Sequence, residues 1–197
     1  MNPYKVVKEF EEEIARYAGS KYAVAVESCS AAIFLCCEYL DVGEVTIPKF
    51  TYPSVPCAII HAGGNVKFNN KKWHGTYELE PFKIYDAALR FRRNMYRDGF
   101  VCLSFHMKKH LTIGRGGMIL LNDKEAYEWL KRARFDGRNE LPLNEDKITQ
   151  LGWNMYLTPE QAVRGLELFN IIKDKDLKDM DPTEQNYPDL SKIEAYQ

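Results

Sequence analysis

Hydrophobic and polar positions alternate along this chain in two rhythms. Between residues 4 and 17, Val6, Val7, Phe10, Ile14 and Tyr17 recur at helical spacing, with Glu11, Glu12 and Glu13 expected on the outer face. Gly19 supplies the stop. Residues 22–26, all apolar, read as a buried strand, 27–30 as a turn of small residues and 31–40 as an apolar helix. Residues 44–47 form the next expected strand, ended by Pro48. A helix is expected to open at 49–53 and run through Ile60 to Gly63 and Gly64. A short strand at 65–68, a polar loop at 69–80 carrying Trp73 and Tyr77, and a strand at 82–85 ending on Asp86-Ala87-Ala88 follow. Two apolar runs, 100–103 and 118–121, read as buried strands. Then come an amphipathic helix over 123–134 capped by Asp123, and a polar loop over 135–147. A helix from Pro159 to about Ile172 has Thr158 at its N-cap. Strands and helices in alternation predict an α/β fold.

Composition narrows the class without naming it. The chain has 197 residues, 45% hydrophobic and 28% charged, with a net charge of −1. That is enough for one independently folding domain and gives no global pull toward nucleic acid or membrane. No apolar run approaches the roughly 20 residues of a membrane span, and the acidic, amphipathic start is not that of a signal peptide. The five cysteines (29, 36, 37, 57 and 102) are odd in number, sit in apolar settings and form no CxxC, so they are expected to be reduced thiols in a cytoplasmic protein.

Candidate chemistry concentrates between the strands at 100–103 and 118–121. The polar, glycine-bearing loop between them carries Lys108 and Lys109, and lysine is the residue that forms Schiff bases with carbonyl compounds, pyridoxal phosphate among them. A solvated turn is the blander reading of the same loop. The strand at 22–26 feeds through Ser28, Cys29 and Ser30 into a helix N-terminus, where free amides suit an anion, although a serine cap explains it as well. Asp86 ends a strand, which is either a ligand-facing edge or a helix cap. Arg90, Arg92, Arg93 and Arg97 form either a solvated basic turn or a contact to an anionic substrate such as a sugar-nucleotide diphosphate. His106 and His110 are four apart in a probable-loop sequence context, a spacing that suits a metal only on a helix, so no metal site is assigned. Gly114-x-Gly116-Gly117 precedes a strand and is not a dinucleotide fingerprint.

The order Ser104-Phe105-His106-x-x-Lys109-x-Leu111-x-x-Gly114-x-Gly116-Gly117, closing into Leu120-Leu121-Asn122-Asp123, resembles the lysine segment of the DegT/DnrJ/EryC1/StrS sugar aminotransferases. Ser28–Ser30, Phe50–Tyr52, Asp86–Ala88 and Asn154 with Gln161-Ala162 match further motifs of that family in order. The resemblance implies a trimmed large domain of the pyridoxal-phosphate fold-type I (aspartate-aminotransferase) class over residues 1–173. It also implies that most of the small C-terminal domain is missing, and that 174–197 is a charged tail, mobile or wrapped on a partner. It implies pyridoxal 5′-phosphate held by Ser28, Cys29, Ser30, Ser104 and Asn154, stacked by Tyr52, paired through its ring nitrogen with Asp86 and joined to Lys109 as a Schiff base. The implied reaction is amino transfer from a donor such as glutamate to a keto-sugar nucleotide, in a homodimer with a shared site. The chain departs from the family pattern at Cys29, Leu89, Arg115 and Tyr156, and the stretch between Phe68 and Asp86 is short. Those departures leave two alternatives: a catalytically inactive cofactor- or sugar-binding scaffold of the same fold, and a pyridoxal enzyme that modifies a nucleotide or base.

Overall fold

A computed structural model describes residues 2–196. Its centre is a five-stranded sheet built from β1 (Tyr22–Val26), β4 (Tyr77–Glu78), β5 (Ile84–Asp86), β6 (Phe100–Ser104) and β7 (Gly117–Leu121), in the order β1-β7-β6-β5-β4. Only β5 and β6 run parallel; the other neighbours are antiparallel. A separate parallel pair, β2 (Glu44–Pro48) and β3 (Asn65–Asn69), is tied to the sheet by a bridge between Thr46 and Glu80.

The apolar strand runs are continuous because helices cover both faces. Successive strand residues point to opposite sides. Val24, Val26, Cys102, Ile119 and Leu121 therefore pack toward α2 (Cys29–Leu40), α3 (Ser54–His61) and α4 (Lys124–Ala133). Ala23, Ala25, Val101, Leu103, Met118 and Leu120 pack toward α1 (Lys5–Ala18) and α5 (Pro159–Ile172). Asp123 caps α4 through the Ala126 amide, and Thr158 and Gln161 close a capping box on α5, as the sequence predicts. Among the described residues no helix is long and apolar enough to cross a membrane.

Four expectations are corrected. Glu11 does not face out: it is buried and pairs with the buried Arg134 from the end of α4, while its Oε1 accepts the Ala25 amide at 2.8 Å. An acidic run reads as solvent-facing only until a distant cation reaches into the core. The helix expected from residue 49 starts at Ser54, because the Lys49 backbone pairs with β3 and the tail instead, its amide on Asn69 O and its carbonyl accepting the Leu190 amide. The loop at 69–80 contains β4, two residues long and too short to leave a periodic signal. The tail is not free of its own chain: it packs there through three short 3-10 turns, with Asp179 on Arg90 and Asp189 on Lys49.

Candidate functional site

The sheet register brings four chain segments to one edge. Asp86 and Ser104 end the parallel strands β5 and β6, Val26 ends β1, and Gly117 begins β7 opposite both Val26 and Ser104. Helix α2 starts directly above that edge, capped by Ser28 Oγ, which accepts the Ala31 amide at 3.0 Å. Gly117 permits this approach: a Cβ there would run into the backbone of Ser28 and Cys29. The result is a cavity of about 1030 Å³ whose lining includes Ser28, Cys29, Ser30, Tyr52, Asp86, Ser104, Lys108 and Lys109.

Asp86 is 3% exposed. Its Oδ1 accepts the Ala88 amide at 2.9 Å and its Oδ2 accepts the Tyr77 hydroxyl at 3.0 Å. Tyr77 has a single proton to give, so in its 2.6 Å contact with Thr51 the threonine donates. The Cys29 thiol lies 3.9 Å from Oδ1. Burial raises the carboxyl's pKa, against the hydrogen bonds from Ala88 and Tyr77 and the charge of Lys109. Burial also lifts Cys29 well above an ordinary thiol, and the Asp86 charge adds to the rise, so it remains a thiol. Asp86 thus has neutral hydrogen-bond donors and, among the described residues, no ion pair.

The two lysines separate here. The loop is drawn tight by a bridge between His106 and Gly114 and by the Phe105 amide on Gly116 O. Lys108 is exposed, whereas Lys109 is half-buried. Burial lowers the Lys109 pKa, and the Asp86 carboxylate partly opposes it. A half-buried amine facing a buried carboxylate across a shared cavity is the arrangement expected of a reactive lysine.

The remaining candidates divide. Ser30 Oγ sits 2.5 Å from Ser54 Oγ, at the meeting of α2 and α3, and Ser104 Oγ accepts the His106 amide at 3.4 Å. Tyr52 lines the cavity yet is 57% exposed. Asn154 is not part of the lining; its side chain donates to Asp136 at 3.2 Å on the surface. Leu89 is buried, and its carbonyl accepts the Met180 amide of the tail. Arg115, at a position where the family pattern carries an acid, pairs with Glu27 at 2.8 Å on the cavity rim. Neither reading of the arginine cluster holds for Arg90, which clamps Asp179 of the tail. Sequence reasoning missed Thr51, Tyr77 and Tyr187. Tyr77 is paired opposite Asp86 across β4 and β5, and Tyr187 is one of two tyrosines in a charged tail, with Tyr196.

The residues suit a flat cationic heterocycle bearing a phosphate. A buried carboxylate without a cation would gain one, and a helix N-terminus with three nearby hydroxyls offers donors to an anion.

A model of the DegT/DnrJ/EryC1/StrS aminotransferase family matches residues 1–94 and 92–175. The spore coat polysaccharide biosynthesis protein SpsC of Bacillus subtilis (strain 168) is 24% identical over 223 residues, which cover 85% of this chain and 57% of that protein. A UDP-4-amino-4,6-dideoxy-N-acetyl-beta-L-altrosamine transaminase of Campylobacter jejuni (strain 81-176) is 23% identical, with 82% and 56% covered. The chain therefore spans little more than half the length of these curated relatives. Among solved structures, Helicobacter pylori PseC, an aminotransferase involved in pseudoaminic acid biosynthesis, superposes with a TM-score of 0.76 at 16% identity, covering 98% of this chain and 80% of that one. A DegT/DnrJ/EryC1/StrS aminotransferase from Brucella abortus gives 0.74 at 20%, covering 86% and 59%. The fold is that of the pyridoxal-phosphate-dependent aminotransferases, shortened relative to those chains.

Proposed function

This chain belongs to the DegT/DnrJ/EryC1/StrS aminotransferase family, and we propose that it uses pyridoxal phosphate to transfer an amino group to a keto-sugar nucleotide. The observation that carries the reading is Lys109: a half-buried amine, its pKa lowered by burial, sharing one cavity with the buried Asp86. Asp86 would hold the ring nitrogen, Tyr52 a ring face, and Ser28, Ser30, Ser104 and the amides that open α2 the phosphate. Pyridoxal phosphate, when bound, supplies a carbonyl carbon for amines and a ring that withdraws electrons. Lys109 Nζ would hold the cofactor through that carbonyl and would serve as the proton-carrying group; burial favours its neutral form. Asp86 would meet the ring nitrogen, and the Thr51–Tyr77 relay and the Ala88 amide favour its charged form against burial.

The proposal extends to residues 1–173 as the site-bearing domain, to glutamate as a representative amino donor and to a homodimer. Asn154 is exposed and outside its own chain's cavity lining, and in a homodimer it would serve the partner's site once released from Asp136. The test is an absorbance titration with pyridoxal phosphate, followed by borohydride reduction and peptide mapping. The expected result is a reduced adduct on Lys109; adducts scattered over surface lysines, or none, would overturn the assignment.

A further inference from the structure

The tail crosses the cavity as a strap pinned at both ends. At the first pin, Asp179 accepts Arg90 Nε at 3.0 Å on each oxygen, and the Met180 amide donates to Leu89 O at 2.9 Å. At the second, Leu190 is buried, its amide donates to Lys49 O at 3.0 Å, and Asp189 takes Lys49 Nζ at 3.0 Å. Between the pins, Gln185, Asn186, Tyr187 and Pro188 line the same cavity as Asp86 and Lys109. The chain turns there on Asn186, whose φ of 52° is left-handed and suits asparagine better than most residues.

Tyr187 is the one strap residue with an aromatic ring in that lining. Its ring lies near-parallel to Trp73, with centroids 6.3 Å apart and planes at 16°, and edge-on to Tyr52 at 6.4 Å and 75°. Burial raises the pKa of its hydroxyl, and the charge of Asp86 pushes the same way, so the hydroxyl stays protonated within the field of Asp86. Three rings from distant parts of the chain, Tyr52, Trp73 and Tyr187, thus border a cavity that holds a buried carboxylate. Trp73 belongs to the short stretch before Asp86, and the strap packs on that stretch: His74 Nδ1 is 3.6 Å from Asp179.

We propose that Tyr187 is a positioning residue for the flat heterocycle that Asp86 holds, and that the strap is a built wall of this site instead of a lid across it. The inference rests on the cofactor site proposed above. Both pins use backbone hydrogen bonds as well as ion pairs, which suits a fixed wall more than a swinging cover.

The test compares wild type, Tyr187→Phe and Tyr187→Ala in titrations with two probes, pyridoxal phosphate and 4′-deoxypyridoxine phosphate. The second probe has the ring and phosphate but no aldehyde, so it reads ring seating without Lys109. Thermal melts check that each variant is folded. The expected result is about tenfold weaker binding of both probes to Tyr187→Ala, the scale of a lost aromatic contact, with Tyr187→Phe within about twofold of wild type. Equal or tighter binding by folded Tyr187→Ala, with the wild-type adduct still on Lys109, overturns the wall and makes the strap a lid. Seating of the deoxy probe that depends on Tyr187, without an adduct on Lys109, supports the wall and removes the lysine assignment. Binding of neither probe to wild type overturns both.

Discussion

The cavity has two walls of different origin. One is the sheet edge: Asp86 and Ser104 at strand ends, the loop bearing Lys109, and the α2 N-terminus pressed onto Gly117. The other is made of Trp73 and the strap with Tyr187, held by ion pairs and hydrogen bonds between residues roughly a hundred positions apart. The first wall is assembled from short segments whose chemistry follows from their place on a strand or helix end. The second depends on a long-range return of the chain. The difference predicts where each wall is vulnerable: the sheet edge to changes in chemistry and backbone clearance, the strap to loss of its pins.

The largest effect should fall on the sheet-edge wall. Lys109→Ala is expected to abolish the borohydride-trapped adduct and to lower any amino transfer by ~10³-fold or more, the scale of losing a positioned acid–base group. Lys108→Ala, at an exposed position on the same loop, should leave both nearly unchanged. Mapping the adduct in both variants checks this, and an adduct surviving Lys109→Ala would dissolve the distinction between the two lysines.

Asp86→Asn should separate binding from stability. The amide keeps an acceptor for Ala88 or Tyr77 but has no charge for a ring nitrogen, so pyridoxal phosphate affinity should fall about a hundredfold, the roughly 3 kcal/mol of a broken buried charge pair. The unliganded protein should not be destabilised at neutral pH. Folding raises the Asp86 pKa, so the folded state binds this proton more tightly than the unfolded chain. Its contribution is therefore most favourable in acid and declines as pH rises through the carboxylate range. The substitution removes that decline, and melting curves from pH 4 to 8 should show wild type losing ground to the variant as pH rises.

Gly117→Ala tests clearance in place of charge. Its methyl group would meet the backbone of Ser28 and Cys29, which cannot move aside as a side chain can. A loss of about 2–3 kcal/mol in denaturant unfolding is expected. An unchanged midpoint would mean that α2 can lift from the sheet edge.

These contrasts match what was legible in the sequence. The helices, the strands at the site and Asp123 and Thr158 as caps follow from periodicity and local side-chain chemistry, which act over a few residues. Asp86, Lys109 and the serines converge because each stands next to a strand or helix end, and sheet register does the rest. Tyr77 was hidden because a two-residue strand has no period, and its importance comes from Asp86 lying across from it. Glu11 read as surface because nothing near it announces Arg134, 123 positions away. Tyr187 and Asp179 sit in a charged segment whose composition alone suggests a free tail. Long-range contacts, those of Arg90 and Lys49 among them, turn it into part of the cavity.

Arg90→Gln should have a small effect on global stability and a localised one on the strap. The Arg90–Asp179 pair is partly solvent-shielded, and its loss is expected to cost about 1 kcal/mol or a little more. Asp179 keeps Arg92 and His74 as weaker neighbours at 3.8 and 3.6 Å. The strap meets the Lys109 loop beside this pin through His110, whose Nε2 lies 2.7 Å from Lys178 O, a contact the substitution leaves in place, so the Lys109 adduct should still form. Proteolysis should nevertheless cut sooner between residues 174 and 188, because one of the strap's two anchors is gone. Acid should imitate the substitution. Burial works against the Asp179 carboxylate, but the Arg90 hydrogen bonds and charge outweigh it and keep its pKa below the ordinary value. A carboxylate with a lowered pKa stabilises the fold above its unfolded-state pKa and loses that contribution as pH falls through the folded value. Protease sensitivity of the wild-type strap should therefore rise at acid pH, and that of Arg90→Gln should change less. Equal sensitivity of the two proteins at neutral pH would mean that Leu190 and the Lys49 contacts hold the strap without Arg90, and that the second wall is sturdier than its ion pairs imply.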